Sequence, residues 1–128
     1  MSPAPHRLLI VEDHRVMRAS YAQFFGQVDG VEVVAMTETA EEALGLFDAA
    51  GAESPFDIAL IDISLPGMDG LELVRQLHQR RPGLRTLVVT GHHGGRYEEE
   101  AAQAGADGFI RKGDPVRLLQ VMRSVLGS

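Results

Sequence analysis

The chain has no cysteine, so neither a disulfide framework nor a thiolate metal site is open to it, and nothing in it calls for an oxidising compartment. It has no tryptophan and only 5% aromatic residues, against 45% hydrophobic ones. The core must therefore be built from Leu, Val, Ile and Ala, a composition that suits helices packed on a sheet. Basic residues are also in deficit: 12 Lys and Arg against 18 Asp and Glu leave a net charge of -6, which disfavours direct binding of this segment to a phosphate backbone. If DNA is involved, another domain touches it. Long apolar runs are missing as well. The stretch Leu8 to Val11 is far too short to span a bilayer, and the opening Met-Ser-Pro-Ala-Pro-His-Arg carries no apolar signal segment. These absences predict a soluble, cytoplasmic protein with no membrane contact. At 128 residues the length fits one domain with a proper core, expected over 7–128 after a disordered extension at 1–6.

What the chain does contain is an alternation of short apolar runs and amphipathic segments. Arg7 to Val11 reads as a first strand ending in the acids Glu12 and Asp13. His14 to Gln27 reads as a helix with Met17, Tyr21 and Phe24 on one stripe, and Tyr21, Phe24 and Phe25 are expected in the core. Val31 to Met36 is a second strand. Thr39 and Glu42 have the spacing of a capping box, opening a helix whose apolar face is Ala40, Ala43, Leu44 and Phe47. After a third strand, Asp69 and Glu72 repeat the capping pattern ahead of Leu71, Val74 and Leu77, and Pro82-Gly83 stops that helix. Arg85 to Val89 is a fourth strand ending in Thr90. Gly94 to Ala104 has only Tyr97 and small alanines as an apolar face, with Glu98 to Glu100 outward, and predicts a short, weakly anchored helix. Gly108 to Arg111 is a brief fifth strand ending in Lys112, and Asp114-Pro115 supplies an N-cap and first-turn proline for a helix bearing Leu118, Met122 and Val125. Five strand-helix units in succession imply an α/β fold: a parallel sheet with right-handed crossovers and helices on both faces.

The stretch Phe56 to Gly70 is the one on which function turns. Its apolar run ends abruptly in a carboxylate, Asp62, followed by a Pro66-Gly67 turn. The bland reading is an acid that caps a turn. In open parallel sheets, however, ligands sit outside the carboxyl ends of the strands. At that same edge lie Glu12 and Asp13, Thr90 and Lys112. Three carboxylates so placed repel one another unless a hard cation neutralises them, and oxygen donors of this kind suit Mg²⁺. A nucleophilic carboxylate, a metal, an ammonium and a hydroxyl make an arrangement for phosphoryl transfer: Asp62 attacks phosphorus, Lys112 and the metal offset charge, and Thr90 donates a hydrogen bond.

With Glu12-Asp13, the run from Asp62 to Gly70, Val88-Val89-Thr90 and Gly108 to Lys112 in that order, the chain resembles the receiver domain of two-component response regulators over Leu8 to Leu126. The Glu-Asp-His opening, the run from Ala104 and the Lys-Gly-Asp ending are most similar to the NarL/FixJ-like branch. That resemblance implies a flavodoxin-like (βα)5 doubly wound sandwich with strand order 2-1-3-4-5. It implies that Asp62 is the phosphoacceptor, charged by a sensor histidine kinase, a histidine phosphotransfer protein or a small phosphodonor. Mg²⁺ is then held by Asp13, Asp62, Glu12 partly through water, and the backbone carbonyl of Ser64. Lys112 pairs with the phosphoryl group or, without it, with Asp62. Thr90 and Phe109 are the switch pair, and Ser64 and His92 flank the path of attacking water and tune phosphate lifetime. The family implies a module that promotes its own phosphorylation and dephosphorylation, a homodimer as one assembly, and commonly a C-terminal DNA-binding domain. Two departures stand out: Gly91 follows Thr90 where alanine is usual, and Gly113 follows Lys112 where proline, often after a cis bond, is usual.

Rival readings are weaker. A haloacid-dehalogenase-type phosphatase needs a second Asp two residues after its nucleophile, and Ser64 occupies that position. A flavodoxin-like flavin carrier needs a phosphate loop after strand one, where two acids stand instead. A degenerate receiver, used only for protein interaction, is disfavoured by the intact Asp62, Thr90 and Lys112. The adjacent His92 and His93 suggest a metal site but, in a glycine-rich loop, are expected to be solvated.

Overall fold

The computed structural model describes residues 4–51, 53–91 and 95–127. Five strands and five helices alternate: β1 (His6–Val11), α1 (Arg15–Phe25), β2 (Val31–Thr37), α2 (Ala40–Ala50), β3 (Ile58–Asp62), α3 (Gly70–Arg80), β4 (Arg85–Thr90), α4 (Gly95–Ala104), β5 (Gly108–Arg111) and α5 (Pro115–Leu126). The strands form one parallel sheet in the order β2-β1-β3-β4-β5. This is the α/β architecture and strand order expected from the sequence.

The alternation of side chains along each buried strand divides the interior into two layers. Leu9, Val11, Ala59, Ile61 and Val88 face α2, α3 and α4, where they meet Phe47, Leu73, Val74, Leu77 and Ala101. Leu8, Ile10, Ile58, Leu60, Leu87 and Val89 face α1 and α5, where they meet Tyr21, Phe25, Leu118 and Met122. Most of these side chains are almost wholly buried, and each fully buried Leu or Ile contributes about 1.5 to 3 kcal/mol relative to exposure. The polar tips of the strands are thus carried by a frame that can offset the cost of crowding charge at one edge.

Local signals in the sequence set most of the boundaries. Asp69 Oδ1 accepts the Glu72 amide at 2.8 Å and Asp114 Oδ1 the Arg117 amide at 3.0 Å, each capping its helix. Thr39 Oγ1 accepts the Glu42 amide, but Glu42 Oε1 reaches back to the Glu38 amide at 3.2 Å, so the reciprocal bond closes one residue earlier than a standard capping box. α1 is shorter than its apolar stripe suggests: His14 is its N-cap and Phe25 its last residue, with Phe25 buried more deeply than Phe24. α4 rests on the buried Ala101 and Ala104 and the half-buried Tyr97, the thin apolar face expected of it.

Gly113 has φ +91, in the left-handed region that proline, fixed near -65°, cannot enter. The bond from Lys112 to Gly113 is trans, as are all peptide bonds among the described residues.

Candidate functional site

Register decides which polar residues meet. Val11 lies opposite Ile61, Asp62 opposite Val89 and Thr90 opposite Arg111, so the residues that end β1, β3, β4 and β5 come out on one edge of the sheet. Asp62 and Glu12 are buried there, and Asp13 is half-buried. One ligand-capable atom from each of Glu12, Asp13, His14 and Asp62 falls within 4.8 Å of the others. At an effective dielectric near 20, two ionised carboxylates at that separation repel by about 3.5 kcal/mol.

One ammonium answers three acids. Lys112 Nζ donates to Asp62 Oδ2 at 3.1 Å and stands 3.1 Å from Glu12 Oε1. The second contact is an ion pair without hydrogen-bond alignment, so Glu12 Oε1 and likewise Asp13 Oδ1 are buried oxygens with no hydrogen-bond partner among the described residues. The other Asp62 oxygen, Oδ1, accepts the Ser64 amide at 3.0 Å. Burial first, and then the neighbouring Asp62 carboxylate, push the Glu12 carboxyl above its ordinary range, against the opposing pull of the His14 amide and Lys112. Burial works against the Lys112 ammonium, but its contacts with Asp62 and Glu12 more than offset this and raise its pKa. The field of the cluster reaches the core: Tyr21 on α1 is driven upward by burial, and further by the charges of Glu12 and Asp62.

The frame of the site is tight. A Cβ on Gly70 would collide with the carbonyl oxygen of Asp62 and come within 2.9 Å of the Ile63 Cα. Only glycine lets the start of α3 sit against the end of β3, where the Gly70 amide donates to Ile63 O at 3.2 Å.

The family model for the response regulator receiver domain matches residues 8–123. The chain belongs to that family. Among curated relatives, this receiver is 31% identical to response regulator GacA of Pseudomonas viridiflava over 120 residues, 93% of this chain and 54% of that protein. It is 34% identical to transcriptional regulatory protein UhpA of Salmonella typhimurium over 103 residues, 80% and 49% of the two chains. The chain thus spans about half the length of these relatives, which are response regulators of the NarL/FixJ type. Among solved structures, a LuxR-family response regulator from Aurantimonas sp. superposes with a TM-score of 0.88 at 32% identity, covering 97% of this chain and 86% of that one. A CheY-like receiver domain from Methanospirillum hungatei gives 0.82 at 34% identity, covering 97% and 95%.

Of the residues singled out in the sequence, the receiver's fold brings Glu12, Asp13, Asp62 and Lys112 into contact range. Thr90 is fully buried at the end of β4, and its carbonyl accepts the Lys112 amide at 2.8 Å. Phe109 on β5 is half-buried against the layer that includes α4. Ser64 is exposed beside Asp62. His92 and His93 lie outside the described residues.

Two participants went unnoticed in the sequence. Arg18, on the second turn of α1, donates through Nη1 to the main-chain oxygens of both Glu12 and Asp13, each at 2.9 Å, and through Nη2 to Glu38 Oε1 at 2.8 Å. Its place five residues after Asp13, one helical turn into α1, was the available signal. His14 turns back over the acids, with Nδ1 at 3.4 Å from Glu12 Oε2 and from Asp13 Oδ1.

Proposed function

We propose that this receiver is a phosphorylation-dependent signalling switch in which Asp62 accepts a phosphoryl group from a sensor histidine kinase, a histidine phosphotransfer protein or a small phosphodonor. The observation that carries the reading is the buried Asp62 carboxylate, with Lys112 Nζ 3.1 Å away and two further acids gathered around it. An Asp62 oxygen bonds to phosphorus as the bond from phosphorus to the donor breaks, giving an acyl phosphate; a donor imidazole leaves with the bonding electrons and takes up a proton. Lys112 offsets charge on the transferring oxygens. The Ser64 amide, already directed at Asp62 Oδ1, holds the carboxylate in one orientation.

The donor set fits Mg²⁺. Two buried carboxylate oxygens, from Glu12 and Asp13, have no hydrogen-bond partner among the described residues, and one ammonium cannot neutralise three acids. Asp13, Asp62, the Ser64 carbonyl and, partly through water, Glu12 would hold the ion, which supplies charge neutralisation at the phosphoryl oxygens.

The readout is a switch through Thr90 and Phe109. The Thr90 hydroxyl turns to the phosphoryl oxygen, the Phe109 ring moves inward, and the segment 91–104, part of which lies outside the described residues, rearranges between them. Moving such an equilibrium from mostly off to mostly on takes about 5.5 kcal/mol of differential binding, which two or three charge-assisted hydrogen bonds at about 1.5 to 3 kcal/mol each can supply. Ser64 and His92 tune how long the phosphate lasts. The output is a partner protein, a homodimer or a C-terminal DNA-binding domain of a longer cytoplasmic regulator; the net charge of -6 argues against nucleic-acid contact by this segment itself. No described helix is long and apolar enough to cross a membrane.

Intact mass after incubation with acetyl phosphate tests the reading. A gain of one phosphoryl group that needs both Mg²⁺ and Asp62, and is absent in Asp62→Asn, supports it. No adduct at short times, even with a cognate kinase, would make this a degenerate receiver that acts by protein interaction alone.

A further inference from the structure

The side chain of His14 is 71% exposed, yet one of its ring nitrogens is turned toward the acids. It folds back so that Nδ1 stands 3.4 Å from a carboxylate oxygen of Glu12 and 3.4 Å from one of Asp13. Both distances exceed the 2.7 to 3.2 Å of an ordinary N–H to O hydrogen bond, so neither acid holds the ring by close pairing. The His14 amide fixes the same Glu12 oxygen, Oε2, at 3.1 Å. Beside it lies the almost wholly buried Glu12, whose other oxygen, Oε1, has Lys112 Nζ 3.1 Å away but no hydrogen-bond partner among the described residues, and Asp13 Oδ1 likewise has none among them.

These separations match one coordination sphere. Ligands about 2.1 Å from an octahedral cation stand about 3.0 Å apart when adjacent and about 4.2 Å when opposite. The candidate atoms of Glu12, Asp13, His14 and Asp62 all lie within 4.8 Å of one another, so small side-chain shifts bring all four onto one ion. A site of carboxylates, carbonyl and water suits Mg²⁺, whereas imidazole favours the later first-row metals.

We propose that His14 is an additional metal ligand, and that its ring nitrogen makes the site bind an imidazole-seeking first-row divalent cation, of the Fe²⁺, Co²⁺, Ni²⁺ or Zn²⁺ class, in preference to Mg²⁺. This rests on the assignment of Glu12, Asp13 and Asp62 as metal ligands made above. It adds a consequence that those acids alone do not have: the identity of the cation, and with it the fraction of receivers ready for phosphorylation, depends on a residue that takes no part in the phosphoryl transfer itself.

The test uses tag-free protein and two probes, Co²⁺ and Mg²⁺. Binding is measured by calorimetry, and the Co²⁺ complex is examined by proton NMR for the strongly shifted, solvent-exchangeable ring N–H of a coordinated histidine. The wild type is expected to bind Co²⁺ at least about tenfold more tightly than Mg²⁺ and to show that resonance. His14→Ala and His14→Gln, at an exposed position where folding is not at stake, should lose the resonance and about tenfold in Co²⁺ affinity, the scale typical of losing a supporting metal partner, with Mg²⁺ affinity changed less than about twofold. Absence of the resonance in the wild type, its persistence in His14→Ala, or an unchanged ratio of Co²⁺ to Mg²⁺ affinity overturns the proposal. Asp13→Asn separates the two readings: if it abolishes binding of both ions while the His14 variants change nothing, the acid site stands and only the role of His14 falls. If it changes neither ion's binding, the metal site itself is wrong.

Discussion

Lys112 Nζ lies 3.1 Å from Asp62 Oδ2, joining residues 50 positions apart in the chain across the whole width of β4. Lys112 is also the single lysine of the sequence. No second ε-amine is present to take its place, and arginine's planar fork does not substitute for a compact ammonium between two carboxylates.

Lys112→Met should therefore destabilise the metal-free protein by about 2 kcal/mol in urea unfolding. That is below the 3 to 5 kcal/mol of a fully buried broken pair because the ammonium retains some access to water. Added Mg²⁺ should recover part of the loss, since a cation then answers the stranded acids. A variant as stable as wild type without metal would show that the pair contributes nothing to the fold.

Arg18 ties the main-chain oxygens of Glu12 and Asp13 to Glu38, so it fixes where the two acids point without touching the reacting atoms. Arg18→Ala is expected to weaken Mg²⁺ binding by about tenfold, in the range for residues that orient ligands. Arg18→Lys, able to reach one carbonyl but not both, should fall between. Calorimetric titration of all three proteins checks this, and equal affinities would remove Arg18 from the site.

At Gly70 a methyl group has nowhere to go except into the backbone of Asp62 and Ile63. Gly70→Ala should cost about 1 to 3 kcal/mol of stability, the usual scale of overpacking. It should also slow phosphorylation of Asp62, because relief comes only by moving the end of β3 or the start of α3. The same substitution at Gly83, where nothing lies within 4 Å of the added carbon, is the control and should leave the phosphorylation rate unchanged.

The raised carboxyl of Glu12 gives a pH dependence whose sign is fixed. A proton held more tightly in the folded than in the unfolded chain stabilises the fold fully below the unfolded pKa of about 4.3, and this contribution is lost as pH rises through the folded value. Without metal, wild type should therefore lose stability relative to Glu12→Gln, which has no such proton to lose, as pH rises above the ordinary glutamate value of about 4.3. Urea midpoints of the two proteins across that rise provide the measurement; a constant difference contradicts the assignment.

Much of the frame was legible in the sequence because its signals are local. An apolar run broken by a carboxylate marks β3 and Asp62, and Asp69 and Asp114 cap the helices they precede. Even the thin apolar face of α4 can be counted from Tyr97 and its alanines. Details differ where a neighbour competes: Glu42 Oε1 accepts from the Glu38 amide and the Thr39 hydroxyl rather than from the Thr39 amide, and Glu12 takes up the His14 amide at the head of α1.

By itself the sequence determined which residues stand at the strand ends, since hydrophobic periodicity and capping are properties of neighbouring positions. Only the tertiary structure decided their partners. The register that sets Val11 against Ile61 aligns the ends of β1 and β3, the reach of Lys112 past β4 joins it to Asp62, and the turns of Arg18 and His14 toward the acids complete the site. These depend on how strands and helices far apart in the chain pack together, and a pattern read along one chain carries no measure of distance between positions that only folding makes adjacent.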